Sequence, residues 1–329
     1  HNGLRLVAGS DSRSKTKTKA EVETTMDLTR RTPRGPRAPW LFPLCLGAGL
    51  ALVGESMLER PRLQPLASDR QLDLSVSVEA EGATTVRLER DRIELRAHAP
   101  LPRLVLTNRQ PEDGAQAVVV EVVVTNLGQD VAAIESEGLE DAGWAGPTTW
   151  RARVRVEPGE PRTLEFQDAA PDEPARFFVA SDPEMNFDLL ERFLDEARRE
   201  RPAFVWILGD LLMERDWIAG TYLEAFERAE VPVYVAIGNH DLVGDRREPP
   251  WEARKDHFRR TFGPSRHAFE FRGVRYLVLD TAAPYVPPGD LDWLEATLAA
   301  APETPTVVLT HKPFVDPREG EDHGSENRA

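Results

Sequence analysis

Alternation of apolar and polar residues predicts strands throughout residues 71–168. In 72–78, leucine or valine occupies every second position, which turns one face of an extended chain inward and the other toward water. The alternation returns at 93–97 and 150–156, and 118–124 is an almost continuous β-branched run. Short strands separated by turn residues, without a helical period, predict a small all-β sandwich.

The pattern changes after residue 175, where apolar runs alternate with helical periods. The strand-like runs are 176–180, 204–208, 231–237, 306–309 and a hairpin from 268 to 279. The helical periods begin near Phe187, Trp217, Trp251 and Leu291. Strands that alternate with helices predict an α/β fold, a largely parallel or mixed sheet with helices on both faces.

The N-terminal region has the order of a signal peptide or an N-terminal membrane anchor. Arg30, Arg31, Arg34 and Arg37 precede the apolar run 40–53, which is followed by small residues. This run is shorter than the ~18 residues that a spanning helix needs. We therefore expect an exported protein (periplasmic, cell-envelope or extracellular), with membrane contact only through 40–53 if the segment is not cleaved.

These patterns divide the chain into six parts. They are an upstream extension (1–25), the signal or anchor (26–58), a linker (59–70), the β-sandwich (71–168), a second linker (169–175) and the α/β domain (176–329).

Composition narrows the class of protein. Of the 329 residues, 40% are hydrophobic and 29% are charged, which is a globular balance. One cysteine excludes a disulfide scaffold. The formal net charge of −15 argues against a nucleic-acid-binding surface, because such surfaces need clustered Lys and Arg.

Four of the predicted strands are followed by residues of the types that bind metals in proteins. The side chains are Asp182 and Glu184, Asp210, the group Asn239-His240-Asp241, and His311. Because ligands of open α/β sheets lie at the carboxyl ends of the strands, we expect these residues to meet at one edge. Carboxylates suit hard metals and imidazole suits zinc or iron, so the set predicts a hydrolytic centre with two metal ions.

With these residues, the chain from about 175 onward resembles the calcineurin-like metallophosphoesterase superfamily. Gly238-Asn239-His240-Asp241 carries most of the resemblance, supported by a hairpin arm at 267–271 and the strand Tyr276-Leu277-Val278-Leu279-Asp280-Thr281. The resemblance implies a mixed β-sheet sandwich flanked by helices and a metal-dependent hydrolase. Such an enzyme cleaves phosphate mono- or diesters by a metal-activated water.

The resemblance also implies a role for each site residue. Asp182 corresponds to a ligand of the first metal and Asp210 to the bridging carboxylate. Asn239 and His311 correspond to ligands of the second metal. His240, oriented by Asp241, would contact the phosphate and protonate the leaving group. The implied cofactors are two divalent or trivalent metal ions, such as Mn, Fe or Zn.

The sequence departs from the family pattern at three places. Asp182-Pro183-Glu184 replaces Asp-x-His, so Glu184 either supplies an oxygen ligand or points away. Gly209-Asp210-Leu211-Leu212-Met213 lacks the second acid of Gly-Asp-x-x-Asp. A late Gly-His-x-His does not follow His311, and we therefore expect the chain to be a fragment of a longer protein that carries this motif.

Two alternatives stay open at this point. The first is a non-catalytic envelope protein with a degenerate metal site and a partner-binding β-sandwich. The second is a purple acid phosphatase-like enzyme, which is less favoured because no tyrosine lies near Gly209-Asp210. For an enzyme, the expected partner is a phosphorylated small-molecule or envelope substrate.

Overall fold

A computed structural model describes residues 75–110, 116–134, 138–244, 251–283 and 285–314. The predicted signal or anchor segment and the stretch from 315 to 329 lie outside the described residues. The exported location and the fragment hypothesis therefore stay predictions. Within the described ranges, no helix combines the length and the apolar character needed to cross a membrane.

The first half of the described chain, residues 75–168, consists of strands and is called the β-rich half below. Its strands are β1 (Val76–Glu81), β2 (Ala83–Leu88), β3 (Arg92–Ala97), β4 (Arg103–Asn108), β5 (Val118–Thr125), β6 (Val131–Ala133), β7 (Leu139–Gly146), β8 (Thr149–Val156) and β9 (Arg162–Asp168). They form one sheet in the order β1-β4-β9-β6 and another in the order β2-β3-β5-β8-β7. Every pair is antiparallel except β3 with β5.

The predicted strands at 93–97, 118–124 and 150–156 coincide with β3, β5 and β8. In β8, buried and exposed residues alternate along almost the whole strand, as the sequence pattern requires. Strands β2, β4, β6 and β7 lie in the region predicted to form strands, but no individual strand was predicted at these positions. In β7 the residues are exposed or half-buried throughout, so the strand has no buried stripe for a periodicity argument to detect. That residues 71–168 fold as a separate domain stays a prediction.

The second half, residues 176–314, is called the α/β half below, and it begins with a parallel sheet. Its elements are β10 (Phe177–Ala180), α1 (Phe187–Glu200), β11 (Phe204–Leu208), α2 (Ala219–Arg228) and β12 (Val233–Ala236). The sheet order is β10-β11-β12 with both pairs parallel. All four residues of β12 are buried, which is the pattern of a strand covered on both faces.

Helix α1 shows why this segment is helical. The side chain of Asn186 accepts a hydrogen bond from the Leu189 N–H at 3.2 Å and caps the N-terminus. Leu190, Leu194 and Ala197 form the buried stripe. The helix ends at Arg201, which adopts a left-handed conformation.

A second sheet completes the α/β half. Its elements are β13 (His267–Phe271), β14 (Val274–Val278), α5 (Pro288–Ala300) and β15 (Thr306–Leu309), preceded by the short helices α3 (Trp251–Arg254) and α4 (Asp256–Thr261). The strand β14 pairs with β13 antiparallel and with β15 parallel. The single helix predicted from 251 to 262 is therefore two short helices, separated at Lys255.

The two halves share one hydrophobic core and belong to one compact unit. Leu95 and Trp150 of the β-rich half belong to the same buried cluster as Phe204 and Tyr276 of the α/β half. In the α/β half, Phe204 lies at the centre of this cluster. The centroid of its ring is 5.3 Å from the ring centroid of Tyr276 and 5.6 Å from that of Phe177. Shared burial fixes the parallel sheet against the β-rich half.

Buried polar contacts join the halves at the edge strand β12. Asn126 Nδ2 donates to the Val233 carbonyl at 3.0 Å, and the Val233 N–H donates to Asn126 Oδ1 at 2.8 Å. Arg96 Nη2 donates to the same carbonyl at 3.0 Å. Side chains of the β-rich half thus bind main-chain groups that would otherwise be unpaired at a sheet edge.

Candidate metal centre

Three acidic or imidazole side chains converge where the strands of the α/β half end. Asp182 follows β10, Asp210 follows β11 and His311 follows β15, and one ligand atom of each lies within 4.8 Å of the others. Among the described residues, this is the one group of three or more His, Cys, Asp or Glu side chains placed to hold a metal ion. The strand-end placement predicted from the sequence brings these three residues together.

The ring of His311 has a defined orientation. Its Nδ1 lies 2.7 Å from the Leu208 carbonyl oxygen, and because a carbonyl only accepts, Nδ1 carries the proton. Its other nitrogen, Nε2, lies 3.1 Å from Asn239 Oδ1 and 3.5 Å from Asp210 Oδ1. An imidazole nitrogen, an amide oxygen and a carboxylate oxygen at these distances are suitable ligands for a metal ion.

The carboxylates of Asp182 and Asp210 are held by the ends of β10 and β11. Both residues adopt left-handed backbone conformations, with φ of 55° and 61°, a region that Asp tolerates better than most residues. The Asp182 N–H donates to the Gly209 carbonyl at 3.3 Å, which ties the two strand ends together. The side chain of Asp210 is almost fully buried, and its Oδ1 accepts the His240 N–H at 2.8 Å.

Two glycines allow the strand ends to approach this closely. A Cβ on Gly209 would lie 2.6 Å from Gly238 Cα and 2.8 Å from His311 Nδ1. A Cβ on Gly238 would lie 2.3 Å from Asp210 Oδ1. Any larger residue at either position would displace a candidate ligand.

Asp241 contacts the backbone instead of the His240 ring that it was expected to orient. Its fully buried carboxylate accepts N–H groups from Gly238 at 2.8 Å, Asp210 at 3.0 Å, Leu211 at 2.8 Å and Leu212 at 2.7 Å. Burial raises the pKa of Asp241 to about 6, against the opposing effect of these N–H donors. Asp241 therefore fixes the loop after β11 to the loop after β12, which differs from the role predicted for it.

The carboxylate beside the His240 ring belongs to Glu214. Its Oε1 lies 3.4 Å from His240 Nδ1, and its main-chain N–H donates to the His240 carbonyl at 2.7 Å. Glu214 was not predicted, because the family pattern has its acid at position 213, where this chain has Met213. The available signal was an acid one residue further along the chain. The left-handed conformations of residues 213 and 214 turn the chain so that this acid lies beside His240.

Glu184 is not a member of the converging group. Its main-chain N–H donates to the Asp210 carbonyl at 3.3 Å, and the residue is half-buried in a left-handed conformation with φ of 43°. Its backbone thus contributes to the position of Asp210. Metal ligation by its carboxylate stays a prediction.

The donor set fits a metal ion. Asp182 and Asp210 supply carboxylate oxygens, Asn239 supplies an amide oxygen and His311 supplies an imidazole nitrogen. Mixed oxygen and nitrogen ligands suit Mn, Fe and Zn. The identity of the metal and the presence of two ions stay predictions.

Three comparisons relate the chain to known proteins. No curated protein matches the chain. Among solved structures, a purple acid phosphatase from yellow lupin (Lupinus luteus) seeds is 12% identical, with a TM-score of 0.36 over 66% of this chain and 49% of that protein. The chain thus spans about half the length of that phosphatase.

The sequence profile of the calcineurin-like phosphoesterases matches residues 175–329. Residues 175–329 of this chain therefore form a calcineurin-like phosphoesterase domain.

Proposed function

We propose that the protein hydrolyses phosphate monoesters or diesters at the centre formed by Asp182, Asp210, Asn239 and His311. The observation that supports this proposal best is the convergence of these acceptors at the strand ends of a calcineurin-like phosphoesterase domain. Metal ions bound there would supply positive charge to the phosphate oxygens and lower the pKa of a water molecule.

His240 is the proposed proton donor. Its side chain is 36% exposed, so a substrate can reach the ring. Because Nδ1 faces Glu214, Nε2 is the nitrogen that remains for the substrate, and it would donate a proton to the leaving-group oxygen. The Glu214 carboxylate would stabilise the protonated ring and hold its orientation.

The proposed substrate is a phosphorylated small molecule or envelope component. The net charge of −15 argues against a surface that binds long polyanions. A compact phosphate ester needs contact with only a few groups at the metal centre, so an acidic surface is compatible with such a substrate.

The test is turnover of p-nitrophenyl phosphate and bis-p-nitrophenyl phosphate by the full chain loaded with Mn²⁺. Asp210→Asn is expected to lose metal and activity together. His240→Ala should keep its metal and lose roughly 10²- to 10⁴-fold in turnover, the usual contribution of proton transfer. Glu214→Gln should lose about tenfold, because the ring keeps its place but loses a charged partner. His257→Ala, a histidine outside the centre, is the matched control.

Full turnover by His240→Ala would show that another group donates the proton. A parent protein that binds Mn²⁺ but hydrolyses neither ester would instead support the non-catalytic envelope protein.

A further inference from the structure

Lys255 and Asp280 form an ion pair in the interior of the α/β half. Lys255 Nζ lies 2.7 Å from Asp280 Oδ2, and the two side chains are only 2% and 3% exposed. Burial lowers the pKa of the Lys255 ammonium, but Asp280 and Glu252 outweigh burial and raise it. Because desolvation offsets much of the attraction in a buried pair, such a pair contributes little net stability compared with an apolar one.

The pair instead fixes the place where the chain leaves β14. The second oxygen of Asp280, Oδ1, accepts the Ala282 N–H at 3.2 Å. The carboxylate therefore holds the backbone on both sides of Thr281, which is fully buried. Lys255 lies at the junction of α3 and α4, so these helices support the same turn.

Thr281 connects this turn to the metal centre. Its Oγ1 accepts the N–H of His311 at 3.1 Å and the N–H of Lys312 at 3.0 Å. One hydroxyl oxygen in the turn after β14 thus accepts two main-chain N–H groups of the turn after β15. His311 then reaches Leu208, Asn239 and Asp210 with its ring.

From these contacts we propose that Lys255, Asp280 and Thr281 are positioning residues for His311, and that they set the affinity of the metal ion bound by His311. The proposal rests on the proposed metal centre but not on any hydrolytic activity. It gives Asp280 and Thr281, which end the strand that resembles the family, a function of their own. Outer partners of this kind typically change metal affinity by about 10- to 100-fold.

The test is calorimetric titration of the metal-free full chain with Mn²⁺. His311→Ala identifies the binding step that depends on His311. Thr281→Val has nearly the same shape but no acceptor, and it should weaken that step by about 10- to 100-fold. Thr281→Ser keeps the oxygen and should bind Mn²⁺ like the parent. Thr306→Val removes a hydroxyl at the other end of β15 and is the matched control.

Asp280→Asn provides a second, independent measurement if Thr281→Val does not fold. It should weaken the same binding step while the circular dichroism spectrum stays that of the parent. Parent-like binding by folded Thr281→Val or by Asp280→Asn would overturn the positioning role, and so would equal losses in Thr281→Ser and Thr281→Val. A parent that binds no Mn²⁺ would overturn the metal centre itself. A parent that binds Mn²⁺ without hydrolysis would leave this proposal intact and refute only the proposed function.

Discussion

At the scale of single residues, the metal centre depends on the absence of a side chain at Gly238 as much as on the ligands themselves. Gly238 has an ordinary extended backbone, with φ of −108°, so its glycine identity reflects space and not conformation. The carboxylate and main-chain nitrogen of Asp210 occupy the volume that a Cβ would need, at 2.3 and 2.4 Å. A methyl group at this position therefore acts directly on a candidate metal ligand.

We expect Gly238→Ala to lower the free energy of unfolding by about 3 kcal/mol, at the upper end of the usual cost of overpacking. Gly220→Ala is the matched control. Gly220 lies in α2 with open space around it, so alanine should raise the free energy of unfolding by up to about 1 kcal/mol. Urea denaturation of both variants measures the difference. Equal stability of the two variants would show that the close approach of the strand ends is not required.

The predictability of the site also differs from residue to residue. Asp182, Asp210, Asn239 and His311 could be predicted because each directly follows a strand whose apolar run is readable in the sequence. The acid at position 214 is visible in the sequence, but its contact with His240 and the backbone contacts of Asp241 are not, because they depend on left-handed turns at 213 and 214 and on the path of two loops. Hydrophobic periodicity reports which face is buried, but it contains no information about turn conformation.

At the scale of elements, the carboxylate of Asp241 joins the loops after β11 and β12. Four N–H groups converge on it, and each would be left without a partner if the acceptor were removed. The short 3₁₀ turn Asn239–Asp241 places both Asn239 and this carboxylate. One element therefore carries a candidate ligand and the group that fixes the neighbouring ligand Asp210.

Asp241→Asn should lower the free energy of unfolding by about 2 to 4 kcal/mol, because hydrogen bonds to a charged acceptor are lost and an amide N–H₂ would face N–H donors. Asp172→Asn, at an exposed position, should change it by less than about 0.5 kcal/mol. Thermal denaturation compares the two variants. A parent-like Asp241→Asn would mean that the loops hold their conformation without this acceptor.

Whether a strand could be predicted depends on whether its residues are buried in a regular pattern. Strands with strict alternation, such as β8, and buried strands, such as β11 and β12, lie where the sequence places them. The exposed strand β7 escapes prediction because its position comes from hydrogen bonds to β8 and not from a buried stripe. The break at Lys255 was not predicted, because the apolar pattern from 251 to 262 fits one helix as well as two.

At the scale of the whole molecule, two histidines meet where the β-rich half contacts the α/β half. The rings of His98, which directly follows β3, and His267 from β13 pack edge to face, with centroids 4.9 Å apart. Burial, then His267 and Arg96, lower the pKa of His98 to about 3. Burial also lowers the pKa of His267 to about 4, and its Nε2 has no hydrogen-bond partner among the described residues. Both rings are therefore neutral in the folded protein near neutral pH.

Acid should weaken the folded state through this pair. Since both folded pKa values lie below the ordinary value of 6.5, the unfolded chain binds more protons as the pH falls below about 6.5. We expect the pair to remove roughly 2 to 4 kcal/mol from the free energy of unfolding between about pH 7.5 and pH 5. Urea denaturation at both pH values measures this loss in the parent and in the His98→Gln, His267→Gln double variant. A pH dependence that is the same in both proteins would contradict the assignment.

The guanidinium of Arg272 extends the link between the halves to the hairpin that joins β13 and β14. Its Nε lies 2.8 Å from Asp168 Oδ2 and its Nη2 lies 2.7 Å from Asp130 Oδ2, and its side chain is only 6% exposed. An expression boundary drawn in the linker 169–175 would leave this cation without counter-ions and open the common core to solvent. Recombinant versions meant for crystallisation or screening should therefore retain residues 75–168 along with the α/β half.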